Sequence, residues 1–188
     1  MKLERDIRGL ERSYMKFKKL KLFIIIFVLC LFNISIVAAD WELGQKSPAF
    51  ATSYRWDSSM SMDNSLQTAW NQARSSWTSS VGATYYYMSD SNYKQGLMKE
   101  TSSTLYGQIN YPVNILEIMT SYLARVNIGN SKVYSTNVAR STATHELGHS
   151  WGLDDLTSGT SIMNGNRNRG SLYTPQSIDI SRVKSLYK

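Results

Sequence analysis

The sequence is poor in cysteine, because its 188 residues contain only Cys30, which lies inside an apolar run. Residues 40–188 therefore cannot form an internal disulfide, and a disulfide-stapled fold is excluded for them. A zinc module held by cysteine thiolates is excluded for the same reason. Histidine is almost as scarce: the chain has two, His145 and His149.

A strong excess of one charge sign is also missing from most of the chain. The formal net charge is +7, but residues 1–39 hold eight Lys and Arg against three Asp and Glu, a net of +5. Residues 40–188 hold thirteen against eleven, a net of +2. A nucleic-acid partner for these residues therefore has no electrostatic support. The apolar and charged fractions, 42% and 19%, indicate a globular protein and exclude wholesale disorder.

The first 39 residues have the pattern of a secretory signal peptide. Four lysines between positions 16 and 21 precede the apolar run Leu22–Phe32, and Val37 and Ala39 place small residues before a cleavage site. We expect residues 1–39 to be removed and residues 40–188 to form one secreted, extracellular domain. The alternative is an uncleaved membrane anchor over residues 22–39, which are near the ~18-residue lower limit for spanning.

The start of the reading frame is a separate hypothesis. A start at Met15 would leave the purely basic lead-in MKFKKLK, whereas the longer segment also carries Glu4, Asp6 and Glu11. The residues just before Met15 can be encoded by DNA that contains a purine-rich bacterial ribosome-binding site. We therefore expect a bacterial gene whose true start is Met15.

The apolar patterns after residue 40 predict an α+β domain. Met62–Ser79 is predicted as a helix, because its buried-type residues fall on one face. Val138–Trp151 is predicted as a second helix, and Thr174-Pro175 as the start of a third, with proline at its first position. Strands are predicted at Ser53–Ser58, Ala83–Met88, Thr104–Tyr111, Ile115–Met119 and Tyr122–Ile128.

The segment that indicates chemistry is His145-Glu146-Leu147-Gly148-His149. Residues four apart share one face of a helix, so both imidazoles can reach one metal ion. Glu146 is then not a ligand but is placed to contact a metal-bound water. Gly152 follows at a point where a chain leaving a helix needs positive φ. Asp155 lies ten residues after His145 and can return a third ligand to the same ion.

This pattern, HELGHSWGLDD, resembles the HExxHxxGxxD variant of the metzincin zinc endopeptidases, among them the matrixin-like and snapalysin-like members. Ser161-Ile162-Met163 is similar to the turn that carries a methionine below the zinc. The resemblance implies a metzincin-like zincin fold with a mixed sheet, a long N-terminal helix, an active-site helix, the methionine turn and a C-terminal helix.

For function, the resemblance implies hydrolysis of peptide bonds with one catalytic Zn²⁺. His145, His149 and Asp155 would bind the ion, Glu146 would act as general base and acid, and Met163 would be structural. A protein or peptide substrate would lie along an edge strand within Thr104–Met119. The loop of residues 164–173 would form a wall of the pocket beyond the scissile bond. We expect a monomer.

Several features depart from that family. Most metzincins have histidine where this chain has Asp155. The chain after residue 39 also lacks the cysteine of matrixin latency and the extra histidines of a structural zinc site. Calcium could bind carboxylates such as Asp57, Asp63 and Asp90, but no recognised calcium loop surrounds them. Two other functions stay open: a processing peptidase for a few exported peptides, and a secreted or membrane-anchored protein that binds zinc without protease activity.

Overall fold

The computed structural model describes residues 46–48, 50–102 and 104–188. The expected signal peptide over residues 1–39, the alternative anchor and the start at Met15 lie outside the described residues. Within the described ranges, no helix combines the length and the apolar character needed to cross a membrane.

A five-stranded mixed sheet forms the body of the described domain. Its strands lie in the order β2-β1-β3-β5-β4, and the edge strand β4 runs antiparallel to β5, with Gln108 opposite Arg125. The other pairings are parallel. The strands are β1 (Ala51–Trp56), β2 (Thr84–Tyr87), β3 (Tyr93–Met98), β4 (Gly107–Asn110) and β5 (Tyr122–Asn127). The helices are α1 (Asn64–Val81), α2 (Thr136–Ser150) and α3 (Ser177–Leu186), and this mixture confirms the expected α+β class.

Helix α1 packs against α2. The Asp63 carboxylate accepts a hydrogen bond from the Leu66 N–H, and Gly82 ends the helix with φ 80°. Trp70 and Trp77 are fully buried in the core, as the apolar stripe predicts. The indole N–H of Trp77 donates to the Thr144 carbonyl of α2 at 2.9 Å. The tryptophan stripe therefore positions the helix that carries the histidines.

The strand predictions are partly wrong. The stretch Ile115–Met119 is a turn with isolated bridges at its end, and Ile115 and Leu116 are 99% and 71% exposed. The central strand β3 was not predicted, because Lys94, Gln95 and Gly96 interrupt its apolar pattern. Gln95 is nonetheless fully buried, where it accepts a hydrogen bond from Arg74. A satisfied buried amide replaces the expected apolar side chain.

The closing helix also begins later than expected. Pro175 precedes it, and Gln176 is the N-cap rather than Thr174. The Gln176 N–H donates to the Asp179 carboxylate at 2.8 Å, and the Gln176 side chain accepts from the backbone of Asp179, which forms a capping box. The predicted proline at the first helical position is therefore wrong, since the N-cap and its reciprocal hydrogen bonds lie two residues further along.

Candidate metal centre

Helix α2 presents two imidazoles to one side of the domain. His145 and His149 lie one turn apart, with ring centroids separated by 4.8 Å and ring planes at 83°. Each residue is only 9% exposed. Both side chains are therefore largely fixed by the surrounding protein, with one edge open to a cleft.

The chain reverses directly after α2 and brings a carboxylate back to the histidines. Gly152 has φ 88°, the left-handed conformation predicted for it, and its N–H donates to the His149 carbonyl at 2.9 Å. Asp155 Oδ1 lies 3.2 Å from His145 Nε2 and 3.7 Å from His149 Nε2. The structure thus brings together the three side chains that the sequence pattern singled out.

The neighbouring aspartate has a different role in the same turn. Asp154 Oδ1 accepts a hydrogen bond from the backbone N–H of Asp155 at 2.7 Å. The Asp154 carbonyl accepts from Arg182 of α3 at 3.1 Å. Asp154 therefore stabilises the loop, while Asp155 faces the imidazoles.

The hydrogen-bond partner of each Nδ1 indicates which nitrogen of the imidazole ring carries the proton. His149 Nδ1 lies 2.8 Å from the Leu153 carbonyl, and His145 Nδ1 lies 3.0 Å from the Ile162 carbonyl. A carbonyl oxygen can only accept, so each Nδ1 carries the proton and each Nε2 keeps its lone pair. Arg167 Nη1 is also 3.2 Å from His145 Nδ1. We assign the Ile162 carbonyl as the partner of His145 Nδ1, because this contact is the shorter of the two and Arg167 Nη1 already donates to the Asn164 carbonyl.

Three electron-pair donors consequently converge on one point. The ligand atoms of His145, His149 and Asp155 all lie within 4.8 Å of one another. Two lone-pair nitrogens and a carboxylate oxygen repel each other at these distances unless a cation lies between them. Nitrogen and oxygen donors of this kind suit Zn²⁺, and three protein ligands leave a fourth position open, as in catalytic sites. The residues present therefore fit a metal ion of that class.

The electrostatics of the centre keep the imidazoles available for a metal. Burial lowers the pKa of His145 to about 4 and also lowers the pKa of His149, so both rings are neutral near pH 7. Burial acts to raise the pKa of Asp155, but nearby positive charge, including that of Arg167, favours the carboxylate, and the net effect lowers that pKa. Neutral imidazoles and an ionised carboxylate are the forms that bind metal.

Glu146 lies beside this centre without joining it. Its residue is 4% exposed, and burial followed by the repulsion of Asp155 raises its pKa to about 8. A Cβ added to Gly107 would lie 2.7 Å from Glu146 Oε1, so the edge strand β4 passes close to the carboxyl group. A carboxyl in this position can hold or release a proton near neutral pH.

The turn that carries Met163 lies beneath the histidines. Met163 is fully buried, and its N–H donates to Ser161 Oγ at 2.9 Å. Asp179, buried in the first turn of α3, accepts from the Ile162 N–H at 2.8 Å and from the Ser161 hydroxyl. Since the Ile162 carbonyl in turn contacts His145, Asp179 positions an imidazole through two hydrogen bonds. Sequence reasoning missed this role, although the Gln-x-x-Asp spacing of a capping box was visible.

A comparison with protein families matches residues 29–180, most of the chain, to metallo-peptidase family M12. The chain belongs to that family. The match confirms the resemblance to metzincin-type zinc metalloproteases and implies peptide or protein substrates. No curated protein matches the chain in sequence.

A cleft crosses the site of this metallopeptidase between α2 and β4. The part nearest the metal ligands has a volume of about 260 Å³. Gln108 and Ile109 of β4 and Tyr111 form one of its walls, opposite Glu146 and His149. Among the described strands, β4 is an edge strand, and it falls within the range expected to receive substrate.

Proposed function

We propose that the chain is a secreted zinc endopeptidase, exported by residues 1–39 and active as the domain of residues 40–188. The observation that carries the proposal is the convergence of His145 Nε2, His149 Nε2 and Asp155 Oδ1 beside the buried Glu146. A purely structural zinc site uses four protein ligands. Three ligands next to a carboxyl group that can titrate near pH 7 favour catalysis.

His145, His149 and Asp155 are the residues that would hold the ion. Zinc at such a site lowers the pKa of water from 15.7 towards ~7 and polarises a carbonyl group. The two Nδ1–H groups keep the imidazoles oriented by donating to the Leu153 and Ile162 carbonyls.

Glu146 is the proton carrier in this account. Its carboxylate takes a proton from the attacking water and passes it to the departing amine. The pKa of about 8 belongs to a buried carboxyl beside Asp155. A divalent cation held by the three ligands would lower this pKa, so that Glu146 is ionised when the water approaches. The same burial favours the protonated form of Glu146, which helps the carboxylate to take the proton from the water.

The substrate is bound by strand addition to β4. This strand pairs with β5 on one side only, so its other edge can pair with an extended peptide. Gly107 allows a close approach, because any side chain there would collide with Glu146 and with Thr142. A peptide paired with β4 therefore lies directly across the proton carrier.

The finer assignments rest on the sequence pattern. Asp155 as third ligand is similar to the snapalysins, which are small secreted bacterial metzincins, and the segment from Thr174 to Tyr187 is similar to the closing helix of matrixin-like members. We propose an extracellular monomer. N-terminal sequencing of the protein from culture medium should give Asp40, whereas an intact chain in the membrane fraction would favour the anchor.

Casein hydrolysis by the purified protein tests the activity. We expect hydrolysis that EDTA abolishes and that zinc restores. The Glu146→Ala variant should bind zinc as the wild type does and lose nearly all hydrolysis, since it lacks the proton carrier but no ligand.

A zinc-loaded wild-type protein that cleaves neither casein nor gelatin would favour the zinc-binding protein without protease activity. Cleavage of only a few peptides would favour the processing peptidase.

A further inference from the structure

A second cavity, of about 240 Å³, opens next to Glu146 on the far side from Tyr111. Its walls come from the chain before β4 and from the loop after the Met163 turn. Two arginines of that loop, Arg167 and Arg169, line it together with Tyr106 and Gly107. The cavity thus combines a direct connection to the reaction centre with two positive charges.

Arg167 is held by the protein itself. Its Nε donates to Ser141 Oγ and its Nη2 to the Ser141 carbonyl, both at 3.0 Å. Its Nη1 donates to the Asn164 carbonyl at 3.1 Å. All these acceptors are neutral, so Arg167 is oriented without a direct salt bridge to a carboxylate of the described residues.

Arg169 is much less engaged. Its guanidinium stacks over the Tyr106 ring at 3.9 Å from the ring centroid. Its Nε is buried and has no hydrogen-bond partner within the described part of the chain. A buried guanidinium N–H without an acceptor is unfavourable. The stack therefore holds the group in place, and because the Nε is buried, the Nη groups at the end of the side chain are the donors that a ligand can reach.

The charge balance of this cavity favours an anion. Among the described residues, neither Arg167 nor Arg169 forms a salt bridge, since the ion pairs there involve only the histidines and Asp155. Two carboxylates, Glu146 and Asp155, also line the cavity, but the divalent ion that the centre would bind offsets both of them. The two guanidinium groups bring like charge to one cavity, and a carboxylate that enters it would offset their repulsion and accept hydrogen bonds from Arg169.

The position of the cavity along β4 selects which substrate residue enters it. Antiparallel pairing, the more stable arrangement per residue, makes a peptide run from Tyr111 towards Tyr106. Glu146 lies against Gly107, which places the scissile bond opposite this end of β4. Residues before the bond then lie beside Gln108 and Ile109, and residues after it lie beside Gly107 and Tyr106. The arginines therefore face the residue that follows the scissile bond.

We propose that this cavity selects substrates with an acidic side chain directly after the scissile bond, and that Arg169 is the specificity-determining residue. The inference rests on the proposed peptidase function and names its substrate class. A bidentate guanidinium–carboxylate contact fits Arg169, which forms no salt bridge among the described residues, and it fits the limited volume of the cavity.

Quenched fluorogenic peptides that differ at one position test this. We expect kcat/KM for Glu after the scissile bond to exceed that for Gln by roughly ten- to hundredfold, and Lys to be the poorest. Arg169→Gln should bring the Glu/Gln ratio close to one, and Arg169→Glu should favour Lys. The ratio is measured within one enzyme sample, so partial misfolding of a variant does not affect it.

Arg140→Gln is the matched control. Arg140 also stacks on a tyrosine, Tyr173 at 4.5 Å, and also has a buried Nε without a partner in the described structure, but it lines neither cavity. Its variant should keep the wild-type ratio. A wild-type ratio of one, a ratio that Arg169→Gln leaves unchanged, or a preference confined to the residue before the scissile bond would overturn the proposal.

Two further measurements distinguish a side-chain carboxylate from a terminal one, and substrate binding from hydrolysis. A peptide that ends at this position, with a free or amidated terminus, distinguishes a terminal carboxylate from a side chain; preference for the free terminus alone would overturn the proposal. Calorimetric binding of the Glu and Gln peptides to zinc-loaded Glu146→Ala needs no hydrolysis. If the variant binds the Glu peptide more tightly but the wild type cleaves neither peptide, the carboxylate-binding cavity stands and the peptidase function is contradicted. Equal binding of the Glu and Gln peptides would overturn the proposal that the cavity selects a carboxylate.

Discussion

The sulfur of Met163 lies directly against the Cα of Gly148, within the turn of α2 that separates the two histidines. A methyl group at position 148 would overlap Met163 Sδ and would approach Trp77 to 3.2 Å. Glycine at this point therefore lets the methionine turn approach the helix from below. The Ile162 carbonyl can then reach the ring of His145.

Met163→Leu should remain active and bind zinc. The methionine packs against Gly148 rather than bonding to any reacting group, and Leu nearly conserves its volume, so we expect a loss of less than ~1.5 kcal/mol in stability. Zinc content and casein hydrolysis check this. A well-folded, zinc-loaded variant without activity would show that Met163 has a role beyond packing.

Gly148→Ala should destabilise the protein, although alanine is the better helix former by about 1 kcal/mol. The added methyl group must displace buried Met163, and overpacking of this kind costs roughly 1–3 kcal/mol. Urea unfolding of the variant measures the change. Gly165→Ala is the control, because a Cβ there meets nothing within 4 Å. Equal or higher stability of Gly148→Ala would contradict the close contact.

The site could largely be predicted from sequence because its geometry is local. The helical repeat places His145 and His149 on one face, and Gly152 and Asp155 follow within six residues of His149. The arginines that line the second cavity could not be found in this way. Arg167 is held in the cleft by hydrogen bonds to Ser141, which lies 26 residues earlier in the chain, and a contact between such distant segments leaves no local pattern.

The fold itself was predicted well for helices and less well for strands. Apolar residues at spacings of three and four specify α1 through one buried face, namely Leu66, Ala69, Trp70, Ala73 and Trp77. Strand β3 has no such pattern, because the buried amide of Gln95 is satisfied by Arg74 and the Tyr122 hydroxyl. Ile115–Met119 is apolar in composition, yet Glu117 adopts φ 59° in an exposed turn. Composition alone cannot distinguish that turn from a strand.

Glu146→Gln should stabilise the metal-free protein at alkaline pH. The pKa of Glu146 is about 8 in the folded chain against an ordinary value of 4.5. Between these values the folded state binds a proton that the unfolded state lacks, so this residue's contribution to stability falls as pH rises. Glutamine does not titrate.

Unfolding in EDTA at several pH values measures this effect. The variant and wild type should have similar free energies of unfolding near pH 4.5, and the variant should be more stable by roughly 2–4 kcal/mol at pH 8 and above. A difference that does not vary with pH would show that Glu146 is not a buried titrating carboxyl.

The central claim is that His145, His149 and Asp155 hold one zinc ion that the peptidase needs. Zinc titration of the wild type, Asp155→Ala and Asp154→Ala, with casein hydrolysis measured on the same samples, tests it most directly. We expect one zinc per chain in the wild type, a loss of affinity and activity together in Asp155→Ala, and most of both retained in Asp154→Ala. Circular dichroism serves as the folding control. Loss of metal from folded Asp154→Ala, with wild-type affinity in Asp155→Ala, would contradict the account.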